Sequence, residues 1–429
     1  MTASLVAGLP RIDGAAVRQL WRDGREIALI DVRDEHAHAQ GHPLFAAQLE
    51  LADLADEAPW RLPRRGVPIV LLDDAGRDDG PAAAMLGPLR ALGHVELALL
   101  DGGIAGWTAG GGELFADVNS PSKAFGELVE HERGTPSLPA ESLWALQSAG
   151  ADLVVLDARR FDEYRTMAIP GGISVPGGEL LLRARALAPD PRTRIVVNCA
   201  GRTRSLIGAQ TLINGGLPNP VAALRNGTIG WTLAGLPLAR GLEQRFDTAR
   251  REGLAQAQQS ARALARRAGA VELTAAELAR WQADGSRTLY RWDVRDAAEY
   301  AAGHLPGFGH APGGQLVQET DFFAAVRGAR IALVDGGPRH DGVRAPVTAH
   351  WLAQMGWEVG WLAEVEPSAF SETGAWVPAQ RRRATRRYQR PYEGTAASAE
   401  TMQAYLDWEY GLVAQLARDG THRFHVLQP

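Results

Sequence analysis

The chain has 429 residues, which is too long for one compact core and, at roughly 100–200 residues per domain, suggests about three domains. Hydrophobic residues make up 45% and charged residues 22%, a composition that excludes a disordered chain. A net charge of −5 gives no basis for nucleic-acid binding, and a single cysteine excludes an internal disulfide, as is typical of a reducing compartment.

The N-terminus lacks the features of a secretory signal, and no apolar stretch is long enough to span a membrane. We therefore expect a cytoplasmic protein that binds neither nucleic acid nor a membrane.

A pattern of domain length occurs three times along the chain. Each copy begins with an apolar strand that ends in an aspartate, and an arginine follows two positions later. The three pairs are Asp31 and Arg33, Asp157 and Arg159, and Asp293 and Arg295. A second apolar strand ends 42 positions after each of these acids, at Asp73, Cys199 and Asp335. Apolar strands that alternate with helical segments are typical of parallel sheets covered by helices.

The fold class predicted from this repeat is α/β, with three tandem domains that each contain a small parallel sheet flanked by helices. The domains are predicted at residues 10–118, 135–242 and 272–377. Residues 243–271 are rich in Ala, Gln and Arg and are predicted to form a helical linker. Residues 378–429 are predicted to form a basic linker and a C-terminal helix, because apolar side chains recur at helical spacing from Met402 to Leu416.

Two recurring side-chain patterns are interpreted as structural. The three Asp–Arg pairs are expected to be ion pairs that hold each domain together, not three active sites. His36, His38 and His42 have a spacing that fits no standard metal site, and we expect them on a solvated surface. No metal and no cofactor are predicted.

The loop after the second strand of the middle copy reads Cys199-Ala-Gly-Arg-Thr-Arg-Ser205. A cysteine at the carboxyl end of a parallel strand, facing a helix N-terminus, lies where open α/β sheets bind ligands. Free backbone N–H groups and nearby arginines stabilise an anion, and such surroundings can lower a thiol pKa from about 8.5 to roughly 3.5–7.5. We therefore expect a reactive Cys199 thiolate, with Gly201 allowing the loop to curl and Ser205 capping the helix.

These features, with the Glu163-Tyr, Pro170-Gly and Gly230-Trp segments in the same order, resemble the rhodanese family over all three predicted domains. The resemblance implies that Cys199 is catalytic and carries sulfane sulfur as a persulfide, from thiosulfate or a persulfide donor to a thiol or cyanide acceptor. It implies that the remaining loop residues bind substrate. These residues are Ala200, Gly201, Arg202, Thr203, Arg204 and Ser205.

Arginine suits oxyanions because its planar fork donates two hydrogen bonds together, and we favour Arg202 as the contact to the anionic donor. Asp73 and Asp335 occupy the positions equivalent to Cys199. Because aspartate cannot accept sulfane sulfur, the two outer domains are predicted to be inactive.

Two other functions compete with a sulfurtransferase. A cysteine phosphatase or arsenate reductase needs an arginine six positions after the cysteine, where this chain has Ser205. A non-catalytic or regulatory rhodanese-like binding protein would explain two domains without cysteine. The predicted partners are a small anionic sulfur donor and a thiol acceptor, which the sequence leaves open between glutathione, a thioredoxin-like protein and a carrier protein.

Overall fold

The computed structural model describes residues 9–249, 252–336, 341–376, 388–391 and 397–428. Three five-stranded sheets follow one another along the chain, and all strand pairings within them are parallel. Each sheet has the same order, in which the first strand lies at one edge and is followed by the fifth, fourth, second and third. The predicted α/β class with three tandem parallel sheets is therefore confirmed.

The first repeat is built around a sheet whose second and fourth strands are fully buried. Its strands are β1 (Arg11–Ile12), β2 (Ala28–Asp31), β3 (Ala46–Gln48), β4 (Ile69–Leu72) and β5 (Leu97–Leu100). Its helices are α1 (Gly14–Arg22), α2 (Glu35–Gln40), α3 (Leu54–Arg61), α4 (Pro81–Ala91) and α5 (Gly103–Ala109). Helix α6 (Ser120–Arg133) then leads into the second repeat.

The second repeat has the same succession of elements. Its strands are β6 (Ser137–Leu138), β7 (Leu153–Asp157), β8 (Ile173–Ser174), β9 (Arg194–Asn198) and β10 (Val221–Leu224). Its helices are α7 (Ala140–Ser148), α8 (Phe161–Thr166), α9 (Leu180–Leu187), α10 (Thr203–Asn214) and α11 (Gly227–Leu233), with a 3-10 turn at Gly177–Glu179.

Helix α12 (Leu254–Arg267) lies inside the predicted linker and packs its alanine-rich face on the third repeat. The strands of that repeat are β11 (Val271–Leu273), β12 (Leu289–Asp293), β13 (Gly309–His310), β14 (Arg330–Val334) and β15 (Glu358–Leu362). Its helices are α13 (Ala275–Ala283), α14 (Ala297–Ala302), α15 (Gly313–Gln318), α16 (Thr320–Phe323) and α17 (Arg344–Gln354), followed by a 3-10 turn at Pro367–Ala369.

The C-terminal segment crosses all three repeats. Helix α18 (Ala399–Asp419) buries Leu412 and Leu416 in the core of the first repeat and packs Leu406 on Ile229 of the second. Beyond the helix, the backbone N–H of His425 donates to a carbonyl of the third repeat. The predicted basic linker falls largely outside the described residues. Among the helices that are described, none is both long enough and apolar enough to cross a membrane.

Each repeat contains the predicted buried ion pair. Asp31, Asp157 and Asp293 are fully buried, and the arginine two positions later donates to each carboxylate at 2.7, 2.7 and 2.5 Å. The same three arginines also donate to the backbone carbonyls of Gly41, Met167 and Gly303. These contacts tie the end of the second strand to the loop after the next helix, so the pairs are structural.

The second and third repeats meet through equivalent Pro-Gly-Gly segments, which end at Gly178 and Gly314. A Cβ on Gly314 would lie 3.0 Å from the backbone nitrogen of Gly178 and 3.2 Å from the Cα of Gly177. Because both neighbours are backbone atoms that cannot rotate away, a side chain here would require the backbone of the two repeats to shift apart by a few tenths of an ångström. The two glycines therefore set how closely the repeats approach.

We expect Gly314→Ala to lower the free energy of unfolding by about 1–2 kcal/mol, because overpacking outweighs the gain of about 1 kcal/mol that alanine brings to a helix. Chemical denaturation checks this change. Gly177→Ala is the matched control, since its Cβ would lie 3.7 Å from the nearest atom, an ordinary contact. A Gly314→Ala protein as stable as the control would contradict this account of the interface.

Candidate active site at Cys199

Cys199 lies between the end of β9 and the start of α10, where the sequence places it, and its side chain is only 1% exposed. Its carbonyl accepts a hydrogen bond from the Thr228 N–H at 2.9 Å, and the carbonyl of Ala200 accepts one from Ile229 at 2.9 Å. Gly227 has a φ of 54°, and a Cβ there would lie 2.3 Å from the Cys199 carbonyl oxygen. The start of α11 therefore holds the loop in place.

The Cys199 thiol is bonded to the helix that follows it. Its Sγ donates to the Ser205 hydroxyl at 3.4 Å, and that hydroxyl donates to the Arg202 carbonyl at 2.8 Å. Burial raises the pKa of the thiol, while the charge of Arg204 and the hydrogen bonds with Ser205 act in the opposite direction. The expected lowering of the pKa is therefore not observed, because desolvation outweighs these contacts in the enclosed site.

Arg202 is directed away from the thiol and towards α6. Its Nε and Nη2 donate to the two oxygens of Glu127, both at 2.8 Å, and Nη2 also contacts Glu130. Its Nη1 donates to the Asn226 side chain at 3.1 Å, and its guanidinium lies over the ring of Tyr410. These contacts fasten the loop to neighbouring helices. Arg202 as the donor contact stays a prediction, and its partners do not favour that role.

Arg204 points in another direction, to Glu163 on α8, whose two oxygens it reaches at 2.7 and 2.9 Å. It also lines a cavity of about 560 Å³ between the second and third repeats. One face of α10 forms part of the wall, and it comprises Thr203, Arg204, Ile207, Gly208 and Thr211. Arg204 therefore acts on the thiol through its charge and also borders the space that a substrate could occupy.

The first repeat shows what the equivalent loop can hold. Asp73, at the position of Cys199, accepts hydrogen bonds from the backbone N–H groups of Ala75 at 3.0 Å, Gly76 at 2.6 Å and Ala82 at 3.0 Å. In the third repeat, Asp335 accepts one from Ala345 at 3.1 Å. The backbone of these loops is therefore arranged to hold an anionic group.

Sequence reasoning missed two charged residues beside the loop, Lys123 on α6 and Glu409 on α18. Both are buried, and Glu409 contacts the loop at Gly201 and Thr203. A signal for Glu409 existed, because it falls four positions after Tyr405 and three before Leu412, on the apolar face of the predicted helix. An acidic residue on such a face needs an explanation.

The expectation for the histidines of the first repeat is wrong for two of the three. His38 and His42 are buried, and their rings stack with centroids 3.7 Å apart. The Nδ1 of His38 lies 2.8 Å from the carboxylate of Asp31. His38 therefore joins the ion-pair network of this repeat, and the Nδ1 of His42 lies 2.8 Å from the carbonyl oxygen of His38.

Comparisons with known proteins show the family of this chain, and a family model matches the first two repeats. A family model described as the rhodanese-like domain matches residues 15–110 and 139–234. The crystal structure of a thiosulfate sulfurtransferase from Pseudomonas aeruginosa is 45% identical, covers 98% of this chain and 100% of that chain, and superimposes with a TM-score of 0.93. The Mycobacterium tuberculosis protein SseB, which carries the name of a thiosulfate sulfurtransferase, is 27% identical over 40% of this chain and 71% of its own length.

We expect Arg204→Ala to raise the pKa of the Cys199 thiol further, because the variant removes the cation that opposes burial. Alkylation by neutral iodoacetamide, followed as a function of pH, measures this pKa, and the sole cysteine makes the signal unambiguous. Arg225→Ala is the control, because Arg225 ends the neighbouring strand but is directed to Ser137. Equal titration midpoints in the two variants would contradict the electrostatic role of Arg204.

Proposed function

Because the chain belongs to the rhodanese family of sulfurtransferases, we propose that Cys199 carries the transferred sulfur as a persulfide. The observation that carries this proposal is the position of Cys199. In the first repeat the equivalent position is Asp73, and three backbone N–H groups donate hydrogen bonds to its carboxylate. A loop built on the same plan suits a thiolate or persulfide anion at this position.

The proposed reaction has two steps. The Cys199 thiolate attacks the outer sulfur of thiosulfate, the sulfur–sulfur bond of the donor breaks, and sulfite leaves with the electron pair. A thiolate or cyanide acceptor then attacks the outer sulfur of the persulfide, and the Cys199 thiolate leaves. No general base is needed once the thiol is ionised. Since burial raises the pKa of Cys199, Arg204 supports this ionisation.

We assign to the approach of substrates the cavity between the second and third repeats, which reaches the loop at Thr203 and Arg204 but is not lined by Cys199 itself. Its volume of about 560 Å³ accommodates a small organic thiol, the size class of glutathione. Its lining contains five arginines, among them Arg160 and Arg245, two acids, and the rings of Phe161 and Phe246, so it combines an excess of basic side chains with apolar surface. To bind a substrate oxyanion, Arg204 releases the carboxylate of Glu163 and donates the same two hydrogen bonds to the oxyanion, since a guanidinium fork binds both groups in the same way.

The outer repeats are proposed to be scaffold. Asp73 and Asp335 place a carboxylate in their own loops. Each carboxylate accepts hydrogen bonds from backbone N–H groups that would otherwise be available to bind an incoming anion. A carboxylate cannot take up sulfane sulfur. The first and third repeats therefore support the middle one, and the third also supplies one wall of the cavity.

Incubation with thiosulfate should add the mass of one sulfur atom to each chain, because Cys199 is the only cysteine. Intact-protein mass spectrometry measures this addition. The Cys199→Ser protein, which differs by one atom, should gain none. Sulfur transfer to cyanide at the native rate by Cys199→Ser would overturn the proposal.

Arg204→Ala should raise the KM for thiosulfate about ten- to hundredfold and change the KM for an uncharged persulfide donor much less, because a hydrogen bond to a charged group is lost. Steady-state kinetics with the two donors measure the difference. Arg202→Ala is the comparison, since Arg202 is held by Glu127. A donor-selective loss in Arg202→Ala alone would restore Arg202 as the donor contact.

A further inference from the structure

The loop at Cys199 is covered by α18, which lies outside the three repeats. A Cβ on Gly201 would lie 3.0 Å from Oε2 of Glu409 and 3.1 Å from Cε1 of Tyr405. The charge of Glu409 also acts on the Cys199 thiol and raises its pKa. The C-terminal helix therefore packs directly on the loop of Cys199.

The two carboxyl oxygens of Glu409 have different surroundings. Oε1 accepts from the Tyr405 hydroxyl at 2.9 Å and from the Thr203 hydroxyl at 3.4 Å. Oε2 is buried and has no hydrogen-bond partner within the described residues, although it is the oxygen that faces Gly201. A buried polar atom without a partner needs an explanation, and the place of this one beside the loop of Cys199 makes the sulfur donor one group that could supply the missing hydrogen bond.

The charged groups around Glu409 are mostly engaged with other partners. On α6, the ammonium of Lys123 donates to Asp117 at 2.6 Å and lies over the rings of Tyr405 and Trp408. The charge of Arg390 acts on Lys123 in turn. Burial is thus the dominant influence on the carboxyl group.

Burial raises the pKa of Glu409 to about 8, and the nearby Glu127 acts in the same direction. Lys123, the Tyr405 hydroxyl and Arg202 act in the opposite direction and are outweighed. Burial therefore favours the protonated carboxyl at neutral pH, and ionisation is favoured as the pH rises. Because Oε1 already accepts two hydrogen bonds, the proton belongs on Oε2.

We propose that Glu409 is a specificity residue of the Cys199 site, whose neutral carboxyl donates an Oε2–H hydrogen bond to an oxyanion of the sulfur donor. This inference rests on the persulfide function proposed above. The donor oxygen supplies the acceptor that Oε2–H lacks. Once ionised, the same carboxyl repels that oxygen, so the site accepts thiosulfate below the titration of Glu409 and rejects it above.

The test compares single-turnover sulfur loading of the full chain from thiosulfate and from inorganic polysulfide, which contains no oxygen. The ratio of the two loading rates at each pH cancels the titration of Cys199 itself. In the native protein this ratio should fall as the pH rises through about 8. Glu409→Leu should lower loading from thiosulfate about tenfold or more and leave loading from polysulfide near the native rate.

Glu409→Gln is the decisive variant. Its amide oxygen keeps the two hydrogen bonds from Tyr405 and Thr203, and its N–H₂ group takes the place of Oε2–H without ionising. Loading from thiosulfate should therefore persist and lose its decline at high pH. Asp407→Asn is the matched control, because Asp407 is an exposed acid on the same helix, and it should retain the native profile.

A native decline at high pH in Glu409→Gln, or native loading of Glu409→Leu from thiosulfate, would overturn the role of Glu409. If Glu409→Leu does not fold, the profile of Glu409→Gln decides alone. Failure of the native protein to load from either donor is a different result, because it would reject the persulfide function and the role of Glu409 with it.

Discussion

The structure depends on how an acidic group is held at the carboxyl end of the fourth strand of each sheet. In the first repeat this group is the carboxylate of Asp73, which three backbone N–H groups satisfy within the loop and the start of α4. In the second repeat the same position is occupied by Cys199, whose side chain can be a neutral thiol or an ionised thiolate. Under the proposed function, chemistry is confined to the copy in which the acidic group is a nucleophile.

Burying that nucleophile has a cost, which the surrounding residues offset in part. Desolvation raises the pKa of Cys199, while Arg204 and Ser205 favour the thiolate. Glu409 adds a second acidic group beside the same loop, and both cannot be ionised cheaply in a buried space. In the proposed reaction, a neutral Glu409 and a charged sulfur form a consistent pair, which would link the C-terminal helix to the chemistry of the middle repeat.

The second and third repeats each have an arginine at the start of the helix after the fourth strand, and each of these arginines is paired with a glutamate. Arg204 contacts Glu163 at 2.7 Å, and Arg344 at the start of α17 contacts Glu299 at 2.6 Å, on the wall of the same cavity. Arg344 is also paired with Glu179 of the second repeat at 2.8 Å. This contact crosses the interface, so the arginine of the third repeat joins the two domains, while that of the second acts on the thiol through its charge.

Local patterns in the sequence were sufficient for the three sheets, the buried Asp–Arg pairs and the loop of Cys199. Strand and helix signals are short-range, and Asp157 and Arg159 are only two positions apart, so their contact follows from the geometry of one strand end. The directions of Arg202 and Arg204 were not accessible in this way, because each depends on an acid supplied by another helix, Glu127 or Glu163.

The tertiary structure alone decided the state of the active-site thiol. Its raised pKa reflects desolvation, which depends on the packing of the whole chain and not on the seven residues of the loop. The contact between Thr203 and Glu409 joins residues that are 206 positions apart in the sequence, with the whole third repeat between them along the chain. The amphipathic spacing of α18 indicated that one face of this helix would be buried. Only the fold determined that this face lies on the loop of Cys199, because each of the three repeats has apolar surface on which the helix could have packed.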